Sequence, residues 1–185
     1  MASAAVILFV VAVWQQRGSD GTAVGAAVGA TGPGTPIRVD RPVPDFTQPL
    51  LSGNGSLSLS RYEGMVVVVN FWSSSCTACR FEVPWLDDLW RAYGGRGVQF
   101  LGVDYEDGRN AAIDSARSLG MSYPSVFDPS GKVGSEYGIF GLPTTYIIAQ
   151  DNRVRYIVYG RIRPASFRIA LESLLKPNVT ETDGR

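Results

Sequence analysis

The sequence contains no histidine. That absence removes Ser–His and Cys–His catalytic pairs, imidazole proton relays and every His-ligated zinc site. Cysteine is nearly as scarce, with two residues, too few for a zinc site of four thiolates. Charge of either sign is not in excess: Lys+Arg and Asp+Glu are both 17, for a formal net charge of zero. Neither a nucleic-acid surface nor a polybasic membrane patch is expected from that balance. Any chemistry here must use thiols, carboxylates, hydroxyls or backbone groups. The 185 residues, 45% of them hydrophobic, are enough for one compact domain with a real core.

The chain begins with an uncharged apolar run, AAVILFVVAVW at residues 4–14. Counted from Met1, about 14 helical residues rise about 21 Å, short of the ~30 Å hydrocarbon core of a bilayer. The length is that of a signal-peptide hydrophobic region. Yet no Lys or Arg precedes the run and no small-x-small cleavage site follows it directly. Residues 1–17 are therefore expected to be an uncleaved membrane anchor with its true start upstream; a cleaved signal would leave a secreted domain instead. A buried helix of the domain is a third option, disfavoured by the polar, Gly-rich stretch that follows. Residues 18–36, rich in Gly, Ala, Thr and Pro, read as a flexible tether. The folded domain is expected over residues 37–176, with a frayed polar tail at 177–185.

Within the domain, strand and helix patterns alternate. A short strand at 57–59 follows a Ser-Gly-Asn-Gly turn. The run MVVVVNFW at 65–72 is β-branched and aromatic throughout, as in a central strand covered on both faces. A helix at 77–93 carries Phe81, Leu86, Leu89 and Trp90 and ends at Gly94-Gly95. A strand at 98–104, a helix at 109–119, a short strand at 123–127 and a short helix at 132–137 follow. Strands at 144–149 and 154–159 flank Asp151-Asn152 as a hairpin, and a helix at 164–175 begins at Pro164. This order predicts an α/β sandwich. The right-handed crossover rule makes its first two long strands parallel.

The two cysteines fall where the predicted central strand gives way to a helix, in Phe71-Trp72-Ser73-Ser74-Ser75-Cys76-Thr77-Ala78-Cys79-Arg80. A disulfide closing so small a ring staples very little chain, so redox use explains the pair better than stapling does. Half a zinc site is the other reading of a C-x-x-C, but no second ligand pair exists. A cysteine at a helix start meets free backbone N–H groups and the positive end of the dipole, which favour thiolate. Cys76 is thus the candidate nucleophile. Cys79, one turn on and shielded, is the candidate resolving thiol. Arg80 adds positive charge beside the pair, or is simply a surface arginine.

The stretch VVVVNFWSSSCTACRFEVPWL resembles the active-site segment of the thioredoxin superfamily, most closely its membrane-anchored TlpA/ResA type. Further blocks in the same order carry the resemblance over roughly residues 43–176: PDFTQPLLSGNGSLSLSRYEGMVVVVNFW, GVQFLGVDYEDGRNAAIDSARSLGMSYPSVFD and YGIFGLPTTYIIAQDNRVRYIVYG. The resemblance implies a thioredoxin-like three-layer sandwich, a central mixed β-sheet with helices on both faces. It also implies thiol–disulfide exchange with protein substrates and no cofactor beyond the Cys76–Cys79 disulfide. Pro143 matches the family's cis-proline opposite the C-x-x-C, where proline carries the smallest cis penalty; the alternative is an ordinary trans turn. Leu142 and Thr144 beside it are candidate substrate-binding positions, Leu142 through backbone groups that a substrate strand can pair with. Trp72 matches the aromatic before the active-site loop and is expected to pack beside the disulfide on the substrate side; the alternative is plain core. Pro84 matches a proline that kinks the active-site helix.

Proton handling is less fixed by the sequence. Asn70 stands where cytoplasmic thioredoxins carry a buried aspartate. Glu106 and Asp107, after the next strand, are the candidate replacements that would take the Cys79 proton; the alternative is a solvated acidic loop that caps the next helix. Thr77-Ala78 departs from the Pro-containing pairs common in the family and leaves the direction of electron flow open. The expected partners are protein thiols and disulfides, among them apocytochrome c or its maturation factors. A membrane-bound electron donor or acceptor is expected too, as is the membrane itself through the N-terminal segment, with the domain on the extracytoplasmic side. Rival functions are a disulfide-forming oxidant of exported proteins, a peroxiredoxin-type thiol peroxidase, for which Ser73 stands where a threonine is expected, and a copper chaperone, which the missing histidine disfavours.

Overall fold

The computed structural model describes residues 32–175. The expected anchor, most of the tether and the polar tail lie outside the described residues. Among the described residues no helix is long and apolar enough to cross a membrane.

Among the described residues eight strands and four α-helices follow in order: β1 (Ile37–Pro42), β2 (Thr47–Pro49), β3 (Ser56–Ser58), β4 (Val66–Trp72), α1 (Thr77–Tyr93), β5 (Val98–Tyr105), α2 (Arg109–Ser118), β6 (Ser125–Asp128), α3 (Lys132–Tyr137), β7 (Thr144–Ile148), β8 (Arg153–Tyr159) and α4 (Pro164–Ser173). Six strands form one mixed sheet in the order β1-β8-β7-β4-β5-β6, and β2 and β3 form a separate hairpin. Strands β4, β5 and β6 run parallel, while β7, β8 and β1 each pair antiparallel with a neighbour. Both parallel connections step the same way across the sheet, so right-handed crossovers put α1 and α2 on one face.

β4 shows why the valine run becomes the sheet's centre. Successive side chains point to opposite faces. Val67, Val69 and Phe71 pack with Leu101, Val103, Tyr137 and Tyr146 on the face covered by α3 and the β2–β3 hairpin. Val66 and Val68 pack with Leu86, Leu89, Phe167 and Leu171 under α1 and α4. All seven β4 residues are buried, which accounts for the unbroken apolar run. Trp72, at the end of β4, joins Cys79 and Ala112 in a third cluster that links α1 to α2.

Two features differ from the sequence-based expectation. Strands β1 and β2 were not legible: β2 has three residues, one of them proline, and β1 runs into Pro42 and shows no buried face of its own. The end of the expected tether, residues 32–36, is docked rather than free. Gly34 donates to Tyr159 O at 2.8 Å and accepts from Arg163 N–H at 2.8 Å. A Cβ at Gly34 would stand 2.0 Å from Arg161 O, so only glycine fits there.

Gly102 of β5 clears space for Trp72: a Cβ on it would lie 2.7 Å from Ser125 Oγ and 2.9 Å from Trp72 Nε1. The indole instead spans the gap and donates to Ser125 Oγ at 3.2 Å. Gly102→Ala is expected to lower unfolding stability by about 1–3 kcal/mol through overpacking. Urea titration followed by tryptophan fluorescence checks this; an unchanged midpoint would contradict the packing described.

Candidate active site

The site lies where β4 ends at the C-terminal edge of the parallel strands, the usual position in α/β folds. Ser73, Ser74 and Ser75 form a tight link, closed by Cys76 N–H to Ser73 O at 3.2 Å, and α1 starts immediately after it. Cys76 is the N-cap. Its backbone is extended, its C=O accepts the first helical bond from Arg80 N–H at 3.4 Å, and its Sγ accepts from Cys79 N–H at 3.1 Å. Sulfur thus occupies the place where a serine or aspartate oxygen usually satisfies a helix's unpaired donors. Cys76 and Cys79 are joined by a disulfide, with Cα atoms 5.3 Å apart. Cys76 is half-buried, whereas Cys79 is 0% exposed and packs against Trp72 and Ala112. A substrate sulfur can reach the first and not the second.

Facing the disulfide is the turn before β7. The Leu142–Pro143 peptide bond is cis. Leu142 packs against the cluster that holds Cys76 and Cys79, and among the described residues its N–H and C=O have no backbone partner. Pro143 O accepts from Gly160 N–H at 2.9 Å, which ties this turn to the end of β8. Thr144 is 1% exposed and its hydroxyl donates to Gly141 O at 2.7 Å, so it braces the turn from within. Trp72 is likewise 0% exposed. Trp72 packs beside the disulfide as expected, under the inner sulfur, and its burial and that of Thr144 make both supports rather than substrate-contacting residues.

The acidic loop after β5 divides in two. Asp107 comes to the site. Its Oδ2 accepts Ser74 N–H at 2.5 Å, and its Oδ1 accepts the Ser74 hydroxyl at 2.9 Å and Gly108 N–H at 2.7 Å. Burial alone would raise its pKa, but these bonds outweigh burial and hold it below the usual carboxylate value. It clamps the link before Cys76 and is a poor acceptor for a thiol proton. Glu106 does not come to the site. It is exposed, sits at positive φ, and turns its carboxylate toward Gly131. The expectation that Glu106 receives the Cys79 proton is thus corrected: the left-handed residue turns the chain and carries that side chain away.

Two carboxyls that were not singled out from the sequence are buried on the same side of the sheet as the cysteines. Glu82, one turn after Cys79 on α1, is 2% exposed. Asn70 Nδ2 donates to its Oε1 at 2.9 Å and Ile162 N–H to its Oε2 at 3.1 Å. Burial pushes it up to about 7 against those bonds. Asp104, the β5 residue in register with Trp72, is 0% exposed, and among the described residues neither of its oxygens receives a donor. Burial, then the charge of Asp107 and a hydrogen bond to it, push Asp104 up to about 8. At neutral pH it is largely a neutral acid, and the Asp104–Asp107 pair carries one proton.

The AhpC/TSA family profile matches residues 39–157. The chain is 31% identical over 140 residues to a thiol-disulfide oxidoreductase named ResA from Geobacillus thermodenitrificans, which covers 76% of this chain and 80% of that one. It is also 31% identical over 148 residues to a thiol:disulfide interchange protein named DsbE from Allochromatium vinosum, covering 79% and 78%. A crystal structure of a DsbE-type thiol:disulfide interchange protein from Chlorobium tepidum superposes with a TM-score of 0.70 at 26% identity, over 76% of this chain and 99% of that one.

The two raised carboxyls make stability fall with rising pH between about pH 4 and 8. Glu82 keeps its proton to about pH 7 when folded, against a reference of 4.5, and Asp104 to about pH 8, against 3.8. Across those windows the folded chain binds more protons than the unfolded one. The contribution of these two groups to stability is therefore full below about pH 4 and falls as pH rises toward 8, opposite in sign to that of the depressed Asp107. Glu82→Gln should flatten the decline below about pH 7, by roughly 3 kcal/mol at 1.36 kcal/mol per pH unit. Asp104→Asn should flatten the part that reaches pH 8. Urea unfolding of the oxidised chain from about pH 4 to 9 checks both, and equal slopes in all three proteins would contradict the assignment.

Proposed function

The chain belongs to the AhpC/TSA family and is a thiol–disulfide oxidoreductase of thioredoxin-like fold; from that premise we propose that it exchanges its Cys76–Cys79 pair with protein cysteines outside the cytoplasm, as a reductant. The observation that carries the exchange reading is the difference in access between the two sulfurs: Cys76 caps a helix and is reachable, while Cys79 is sealed beneath it; the reducing direction is supported by the TlpA/ResA resemblance.

In the reducing direction, the Cys76 thiolate attacks a substrate disulfide. A Cys76–substrate S–S bond forms, the substrate bond breaks, and the leaving sulfur departs as a thiolate that takes up a proton. Cys79 then loses its proton and attacks Cys76 Sγ. The internal disulfide closes and the second substrate sulfur leaves with both electrons. Glu82, three residues after Cys79 and with a pKa near neutrality, is matched to accept that proton inside the buried site. Asp107 positions the Ser73–Ser75 link, and the unpaired backbone of Leu142 receives the substrate as a short added strand. The dithiol carries the electrons, so the cycle requires no bound cofactor.

The TlpA/ResA resemblance, with the apolar run at residues 4–14, supports a domain tethered on the extracytoplasmic side of a membrane. There it keeps haem-site cysteines of apocytochrome c, or of its maturation factors, reduced, and is itself recharged by a membrane-bound donor. A peroxidase is less well supported. Ser73, at the expected threonine position, is buried and shares a hydrogen bond with Ser75 Oγ at 3.2 Å.

A Cys79→Ser variant should accumulate mixed disulfides with extracytoplasmic proteins through Cys76, and Cys76→Ser should trap none. The wild-type potential should lie near −270 mV or lower, as for reductants. An empty trap removes the exchange reading. A potential near −120 mV makes the protein an oxidant instead.

A further inference from the structure

The surface around Cys76 is a closed ring of three segments. Arg80 reaches back from α1 to Ser74 O at 3.5 Å. Phe81 follows it and is 66% exposed. The guanidinium of Arg161 lies over the Phe81 ring, 5.6 Å from its centroid. Gly160, just before Arg161, is bonded to Pro143 O, and Leu142 returns to the cysteines. Outside this ring Phe140 is 91% exposed, with its ring 6.4 Å from that of Tyr159. Phe140, Leu142, Pro143 and Tyr159 line an open cleft of about 390 Å³.

The charge of this ring is one-sided. Residues 73–81, 139–144 and 159–163 contain Arg80, Arg161 and Arg163 and no acid, in a chain whose charges balance overall. Arg163 turns away to Pro33 O, which leaves Arg80 and Arg161 exposed at the rim. The acids near this ring are turned inward: Glu82 is buried with its oxygens bonded to Asn70 and Ile162, though within reach of the Arg161 charge, and both Asp107 oxygens are bonded to Ser74 or Gly108. Phe81 lies beside Arg161 and Phe140 beside Tyr159, and among the described residues neither Arg80 nor Arg161 forms a salt bridge; exposed rings and cations so placed are features of interaction surfaces.

Resting on the exchange reading above, we propose that this site selects substrate segments whose reactive cysteine is flanked by acidic side chains and by an apolar one. The segment lies in extended form along Leu142. Its carboxylates meet Arg80 and Arg161, and its apolar side chain enters the cleft beside Phe140 and Tyr159. Exposed cations mainly accelerate encounter and reject like charge, so the selection is kinetic and salt-sensitive.

The test measures second-order rates of the reduced full chain with synthetic peptide disulfides that differ only in the residues flanking cysteine. Aspartate is compared with lysine, and phenylalanine with alanine two positions away; bis(2-hydroxyethyl) disulfide serves as an uncharged reference. Aspartate peptides should react about tenfold faster than lysine peptides at about 10 mM ionic strength, and the ratio should approach one at about 1 M. Arg161→Glu should invert the ratio, and Arg161→Gln should halve it or more. Phenylalanine should outpace alanine in the wild type. Equal rates for both charges, or faster lysine peptides, would overturn the selection while leaving exchange intact. If neither the peptides nor the uncharged disulfide reacts, the exchange reading itself is lost and this one with it.

Discussion

A sulfur atom that caps a helix is the interaction on which the rest of this structure depends. Cys76 Sγ accepts the Cys79 N–H that would otherwise lack a partner in the first turn of α1. In the disulfide this is a modest polar contact. In the dithiol the same donor and the helix's positive end act on a sulfur that can ionise, and both favour the anion. The geometry that starts the helix therefore also activates the nucleophile. It also places Cys79 one turn down and inside, where only Cys76 can meet it.

Around that cap, buried carboxyls are distributed differently from what one strand position would suggest. Asn70 is an amide at the centre of β4, and it delivers its N–H group to Glu82 on the covering helix. The buried acid is thus present, but it approaches from the helix rather than from the strand. Asp104 and Asp107 form a second buried arrangement, in which a neutral acid supports an ionised one. The ionised partner holds Ser74 and with it the link that presents Cys76. Low dielectric explains both cases: each site can hold a carboxyl only by keeping its proton or by surrounding it with donors.

Much of this was legible in the sequence because the strongest signals coincide with the site. The valine run of β4 and the helix from Thr77 to Tyr93 were readable from β-branching and from the Gly94-Gly95 stop, and the two cysteines sit at their junction. Glu82 was missed because a glutamate in a helix ordinarily means a wet face. The available signal was its place between Cys79 and Leu86, on the stripe that turns inward and toward Asn70. Asp104 was hidden as the last polar residue of an apolar strand, where an edge exposed to solvent is the default reading. The opposite fates of Glu106 and Asp107 depend on one residue at positive φ, which adjacent acids in a sequence do not reveal. Trp72 and Thr144 border the site in sequence, but only the packing shows that they support it from below.

The most direct measurement is the pH dependence of alkylation at each cysteine in the reduced protein, followed by peptide mass spectrometry. A capped, reachable sulfur over a sealed one predicts rapid modification of Cys76 alone, with an apparent pKa well below the ordinary thiol value of about 8.5. If Cys76 titrates at or above that value, or Cys79 is modified as quickly, the helix start neither ionises nor selects its sulfur, and the account fails at its foundation.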